Sequence, residues 1–200
     1  MKNVLSINTS INYDTGNSYI LNNEFVDRLS DKFELTVTHR DLVKAPLEHL
    51  KQTEMLAWMT PEAQRNDEQR SLVDLSDNLI KEVQQSDILV IGLPMYNFGV
   101  PSQFKAWMDR IARAGVTFKY TEQGPVGLIA NKKVVVLAAR GGIYAGTDND
   151  SQTTHVKSFF ALLGITDVEF IYAEGLNMPS KELSIANAKK KMEAVLSSMG

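Results

Sequence analysis

The chain has 200 residues with no cysteine, and its 21 basic and 24 acidic side chains give a formal net charge of −3. That length supports one domain with a substantial core, and the lack of cysteine excludes disulfides, thiolate nucleophiles and Cys-ligated metals, so any redox chemistry needs a bound cofactor. No basic block suggests nucleic acid or an anionic membrane surface as partner, and no run approaches the roughly 18–20 apolar residues that span a bilayer, so a soluble, cytoplasmic protein is expected.

No linker, repeat or low-complexity tract divides the sequence, which reads as a single domain over residues 1–200. Residues 3–8 predict a first strand. Residues 18–29 predict a helix, with Tyr19, Leu21, Phe25, Val26 and Leu29 at three- and four-residue spacings and Asn17 or Ser18 as its cap. Phe33, Leu35 and Val37 alternate with Glu34, Thr36 and Thr38, the pattern of a half-buried edge strand over 33–39. The polar stretch from Thr60 to Arg70 reads as a surface excursion, and Leu72, Leu75, Leu79, Ile80 and Val83 place a helix over 66–84. The unalternating run Ile88-Leu89-Val90-Ile91-Gly92-Leu93 suits a strand buried on both faces of a parallel sheet, and Pro94 cannot continue its ladder. Residues 102–114 predict a helix with Phe104, Trp107, Met108 and Ile111 on its apolar side. The segment 114–128 is too long for a plain connection, which marks it as functional. Val134-Val135-Val136-Leu137-Ala138 is a fourth strand; a helix over 156–163, a fifth strand over 168–172 and a terminal helix over 182–196 complete the chain.

Strands separated by helices require a parallel sheet with right-handed crossovers. Five such units match an α/β, flavodoxin-like doubly wound sheet of order 2-1-3-4-5 with helices on both faces. Ligands of such sheets sit outside the carboxyl ends of the strands, so the loops 10–18, 94–99 and 139–142 become candidate site walls. The first, Ser10-Ile11-Asn12-Tyr13-Asp14-Thr15-Gly16-Asn17-Ser18, is rich in hydroxyls and feeds a helix start, which suits a phosphate or, equally, plain helix capping. It contains neither GxxxxGK[ST] nor GxGxxG, and Asn8-Thr9-Ser10 lacks the acidic residues of a response regulator. In the second loop Tyr96 and Phe98 can pack against a ring while Asn97 bonds its heteroatoms; an ordinary strand-to-helix turn is the alternative. In the third, Arg140-Gly141-Gly142 lets backbone approach a flat ligand, or simply turns tightly. Tyr120 is placed to cover a ring or line a subunit contact. The three histidines, His39, His49 and His155, are dispersed and suggest no metal cluster; His155 reads as exposed helix.

Three segments carry a resemblance. Pro94-Met95-Tyr96-Asn97-Phe98, Ala112-Arg113-Ala114-Gly115-Val116-Thr117-Phe118-Lys119-Tyr120-Thr121-Glu122 and Ala173-Glu174-Gly175 together resemble the FMN-dependent NADH azoreductase (NADH:quinone oxidoreductase) family, over nearly the whole chain. The second segment is the most specific. The resemblance implies a homodimer with one FMN per subunit near the subunit interface, NADH as electron donor, and quinone or azo acceptors reduced by a ping-pong mechanism. It places the FMN phosphate and ribityl chain on Ser10 and on Gly16-Asn17-Ser18. The flavin ring falls on Met95-Tyr96-Asn97-Phe98 and on Ala139-Arg140-Gly141-Gly142, with Tyr120 and Phe159 on the substrate face. Similar proteins usually carry serine where this chain has Ala139, which removes a hydroxyl from the flavin edge, and Leu162 stands where relatives place an aromatic. The flavin carries the chemistry, so no catalytic side chain and no metal are expected. A flavodoxin-type electron carrier and a nucleotide-binding module without redox activity are the alternatives.

Overall fold

The two unalternating apolar runs end up at the centre of the sheet because neither has a face that tolerates water. In the computed structural model, which describes residues 1–199, the strands are β1 (Lys2–Asn8), β2 (Leu35–Asp41), β3 (Ile88–Pro94), β4 (Phe118–Thr121), β5 (Gly124–Gly127), β6 (Lys133–Ala139) and β7 (Asp167–Ala173). Five form one sheet in the order β2-β1-β3-β6-β7, every pairing parallel, so the predicted 2-1-3-4-5 topology is observed. All seven residues of β3 are buried. Its side chains alternate between the two layers: Leu89, Ile91 and Leu93 join one core cluster and Ile88 and Val90 the other. Against the first face pack Leu79, Val83, Phe104, Trp107 and Phe160; against the second pack Leu21, Phe25, Met192 and Val195.

These side chains belong to α1 (Asn17–Ser30), α3 (Asp67–Gln85), α4 (Ser102–Ile111), α5 (Ser151–Leu163) and α6 (Lys181–Ser198). An additional helix, α2 (Gln52–Met59), has no counterpart in the sequence reading. It buries only Glu54 and Ala57 and leaves Met55, Leu56 and Met59 exposed, so it offers no core-facing apolar period. Part of the polar 60–70 stretch is likewise ordered. A single 3-10 turn, Glu62–Gln64, is followed by the start of α3, where Asn66 and Gln69 close a reciprocal capping box. The edge strand β2 begins at Leu35, not at 33, because its partner starts at Lys2, which pairs with Leu35. Similarly, α4 ends at Ile111, short of the predicted 114, where Ala112 leaves helical geometry.

The long 114–128 segment folds on itself as an antiparallel β4–β5 hairpin outside the main sheet. Its root is the buried Thr117, whose hydroxyl accepts the Arg113 N–H at 2.9 Å and donates to the Ile111 carbonyl at 2.7 Å. The hairpin's other end lies directly on the end of α5: a Cβ at Gly127 would fall 2.0 Å from the Gly164 nitrogen. Among the described residues no helix is long and apolar enough to cross a membrane, and no group of three or more His, Cys, Asp or Glu side chains could hold a metal.

One buried ion pair fastens α2 to the body. Arg110 on α4 reaches Glu54 at 2.7 Å, and both side chains are nearly inaccessible. The same guanidinium donates to the Glu48 carbonyl at 2.7 Å and the Ala106 carbonyl at 3.1 Å. Removing one member of a buried pair leaves an uncompensated charge, so Glu54→Ala is expected to destabilise the protein by about 3–5 kcal/mol. Urea unfolding of the two proteins side by side measures this; a loss below about 1 kcal/mol, the level of an exposed pair, would show that the contact does not hold the helix.

Candidate cofactor site

The carboxyl ends of β1, β3 and β6 open into a cavity of about 230 Å³. A larger cleft of about 790 Å³ lies at the strands' amino ends, but its lysines are already engaged. Lys133 pairs with Asp167, Lys132 donates to the Gln84 carbonyl, and Lys2 donates to the Met199 carbonyl. The smaller cavity is therefore the candidate: it gathers chemistry-bearing residues from three loops that the sequence separates.

At one end stands the start of α1. Gly16 is its N-cap, and no side chain caps it, so the expected capping by Asn17 or Ser18 is not observed. Its first N–H groups and the positive end of the helix dipole face outward without a built-in acceptor. Ser18 is only 1% exposed, yet its hydroxyl has no partner. An orphaned buried hydroxyl costs about 1–3 kcal/mol, a cost that a bound anion would remove. Ser10 lies beside it, its hydroxyl accepting the Asn12 N–H at 3.3 Å. Gly16 is required by space: with an ordinary φ of −71°, a Cβ there would still fall 2.0 Å from the Ser10 hydroxyl. Ser10, Gly16, Asn17 and Ser18 all line the cavity, and their donor chemistry fits a phosphate.

Met95 and Tyr96 line a second side. The Tyr96 hydroxyl accepts the Ile11 N–H at 3.3 Å and so joins the first two loops. Beyond it the chain turns back sharply, with two backbone hydrogen bonds between Tyr96 and Gly99 at 3.1 and 2.9 Å. The two residues between them, Asn97 (φ +51°) and Phe98 (φ +64°), are both left-handed. Asparagine tolerates this conformation; phenylalanine there is strained. Both side chains are exposed at the rim, Phe98 edge-on to Tyr144 at 5.3 Å. Phe98 and Gly99 also border an adjoining groove of about 480 Å³ that includes His49 and His155.

The third side consists of Ala139, Arg140 and Gly141, with Gly142 flanking it. A Cβ at Gly141 would fall 2.5 Å from the Asn177 amide nitrogen, so any larger residue there would push the Asn177 side chain aside. This loop is zipped to the segment after β7, where Gly175, Leu176 and Asn177 donate their N–H groups to the carbonyls of Gly142, Arg140 and Gly141. Leu176 and Asn177 thereby become cavity residues that the sequence reading missed. The Ala173-Glu174-Gly175 motif just before them was the available signal.

Arg140 meets the cavity only through its backbone. Its side chain is wholly inaccessible, its guanidinium bonded to Asp150 at 2.8 Å, Thr153 at 2.9 Å, Glu174 at 3.0 Å and Gln152 at 3.3 Å, and lying over the Tyr172 ring. The charge is neutralised inside the protein and is not offered to the cavity. Burial of Asp150 opposes its ionisation, but the bonds from Arg140 and Thr153 outweigh that and hold its carboxyl below the ordinary range. Burial likewise pushes the Tyr172 phenol up. Tyr120, 74% exposed on β4, and Phe159, half-buried against Phe160, lie outside the cavity of this chain.

Comparison with known proteins identifies the family. Residues 2–196 match the family described as Flavodoxin-like fold. The FMN-dependent NADH:quinone oxidoreductase of Alcanivorax borkumensis is 52% identical over 195 residues, 96% of this chain and 98% of that one. Its counterpart in Alteromonas mediterranea is 49% identical over 188 residues, 94% of each. An FMN-dependent NADH-azoreductase from Bacillus anthracis, solved in complex with FMN, superposes with a TM-score of 0.91 at 27% identity, covering 100% of this chain and 99% of the other. With a shared fold, near full-length coverage and identities of this size, the chain belongs to the FMN-dependent NADH:quinone oxidoreductase family.

Proposed function

We propose that this chain, as one FMN-binding domain over residues 1–200, passes two electrons from NADH to quinones and azo compounds by a ping-pong mechanism in the cytoplasm. The observation that carries the reading is the unpartnered, buried Ser18 hydroxyl at an uncapped helix start, at one end of a cavity bounded elsewhere by two ring-sized loops. The relatives named above support the donor, the cofactor and the acceptor class.

Ser10, Asn17, Ser18 and the α1 N-terminus would hold the FMN phosphate, with Gly16 giving the clearance. Met95, Tyr96, Asn97 and Phe98 would bound the ring on one side, and Ala139, Gly141, Gly142 and the Arg140 backbone on the other. Ala139 offers no hydroxyl to the ring edge. The chemistry that FMN supplies when bound is reversible two-electron hydride transfer. The chain contributes position and exclusion of water, and no side chain of the cavity is set up as an acid, base or nucleophile. Tyr120 and Phe159 would shape the substrate face. Because the exposed Tyr120 lies outside this chain's own cavity, we place it at the contact of a homodimer.

Each of Ser10→Ala and Ser18→Ala is expected to weaken FMN binding by about 1.5–3 kcal/mol, the value of a charge-assisted hydrogen bond. Fluorescence titration of apoprotein measures it, and unchanged affinity in both variants would put the phosphate elsewhere. Initial rates with NADH varied at several fixed quinone concentrations should give parallel double-reciprocal lines. Intersecting lines would replace the two separate half-reactions with a ternary complex, and absence of turnover would leave an electron carrier. Sedimentation equilibrium should return roughly twice the 22.3 kDa chain mass; a fully active monomer would remove Tyr120 from any shared face.

A further inference from the structure

Gln152, at the start of α5, is 1% exposed and has no part in the function described so far. Its position was hidden in the sequence, since the apolar period of that helix begins only at Val156. The amide nitrogen donates to the Pro94 carbonyl at 2.9 Å and to the Gly99 carbonyl at 3.3 Å. The amide oxygen accepts the Nε–H of Arg140 at 3.3 Å. These partners fix the amide orientation: carbonyls only accept and a guanidinium only donates, so the flipped amide would oppose like groups at both ends. Next to it, the Ser151 hydroxyl donates to the Phe98 carbonyl. The first turn of α5 thus engages three carbonyls of the 94–99 loop, including that of the left-handed Phe98 and that of Gly99 just after it. Strained backbone persists only where its surroundings over-determine it.

The other side of the cavity is held through the same buried guanidinium. Glu174 Oε1 accepts from Arg140 at 3.0 Å and from the N–H groups of Tyr144 and Ala145 at 2.9 Å each. A continuous run of hydrogen bonds therefore leads from the loop after β6, through Glu174, Arg140 and Gln152, to the loop after β3.

We infer that Gln152 is a positioning residue for the flavin ring, bridging the two loops that flank it and fixing their separation; this rests on the cofactor reading above. The role needs the two N–H donors as well as the acceptor, which separates it from polar filling of the core. Gln152→Glu keeps an acceptor for Arg140 but presents oxygen to the Pro94 and Gly99 carbonyls; Gln152→Leu removes every bond.

The experiment uses full-length wild type and both variants, titrated with FMN and followed by the visible spectrum of bound flavin and by KM and kcat for NADH. Both variants are expected to bind FMN about tenfold or more weakly, which is about 1.4 kcal/mol, with altered flavin absorption bands. Binding by both within about threefold of wild type (about 0.7 kcal/mol), with an unchanged spectrum, overturns the inference. So does a Gln152→Glu protein that matches wild type while Gln152→Leu does not, because the role would then run through Arg140 alone. Should the Gln152 variants fail to fold, Ser151→Ala decides, since it loses only the exposed bond to Phe98: a changed flavin spectrum supports the clamp and an unchanged one overturns it. Wild type that takes up no FMN overturns the cofactor reading itself, a result distinct from equal binding by all the proteins.

Discussion

A guanidinium without access to water sits beneath the end of the cavity proposed for the flavin ring, and much of the local structure exists to satisfy it. Arg140 is bonded to Asp150 and Glu174, two carboxylates from different loops, and to Gln152 and Thr153 in the first turn of α5. A buried cation demands such compensation, because stripping its hydration costs several kcal/mol unless charge and hydrogen bonds replace it. The demand pulls together the ends of β6 and β7 and the start of α5. Their convergence determines the shape of the ring end, although the charge itself never reaches the cavity.

The two ends of the cavity are prepared in opposite ways. The end proposed for the phosphate is left unfinished: a helix start lacks a side-chain cap and a buried hydroxyl lacks a partner, so binding energy is available there without rearrangement. At the ring end the buried Arg140 and Gln152 side chains are already bonded within the protein, and what it offers is shape: backbone, two close-packed glycines and a strained turn. Anchoring by one end and positioning by the other suits a cofactor whose phosphate is inert and whose ring does the work. The sheet supplies the rigidity for this, since β3 and β6 are buried on both faces and cannot shift relative to each other without opening both core layers.

Much of this was legible in the residues themselves. The runs 88–93 and 134–138 announced central strands, and the helices between them imposed parallel order. The hydroxyls of the first loop and the glycines of the third pointed to the two ends that we propose hold the phosphate and the ring. Elements whose stability comes from polar tertiary contacts stayed hidden. Helix α2 is fastened by a buried ion pair between Glu54 and Arg110, and the first turn of α5 by a buried glutamine, and neither produces an apolar period. Leu176 and Asn177 enter the cavity only because β7 lies next to β6.

Arg140 states the division most clearly. By itself the sequence determined that an arginine and two glycines follow a central strand at the carboxyl edge of a parallel sheet, because strand burial and loop composition are local properties. Only the tertiary structure decided that the arginine turns inward. Its carboxylate partners lie 10 and 34 residues further along the chain, and only the packing of β6 against β7 and α5 brings them within hydrogen-bonding distance.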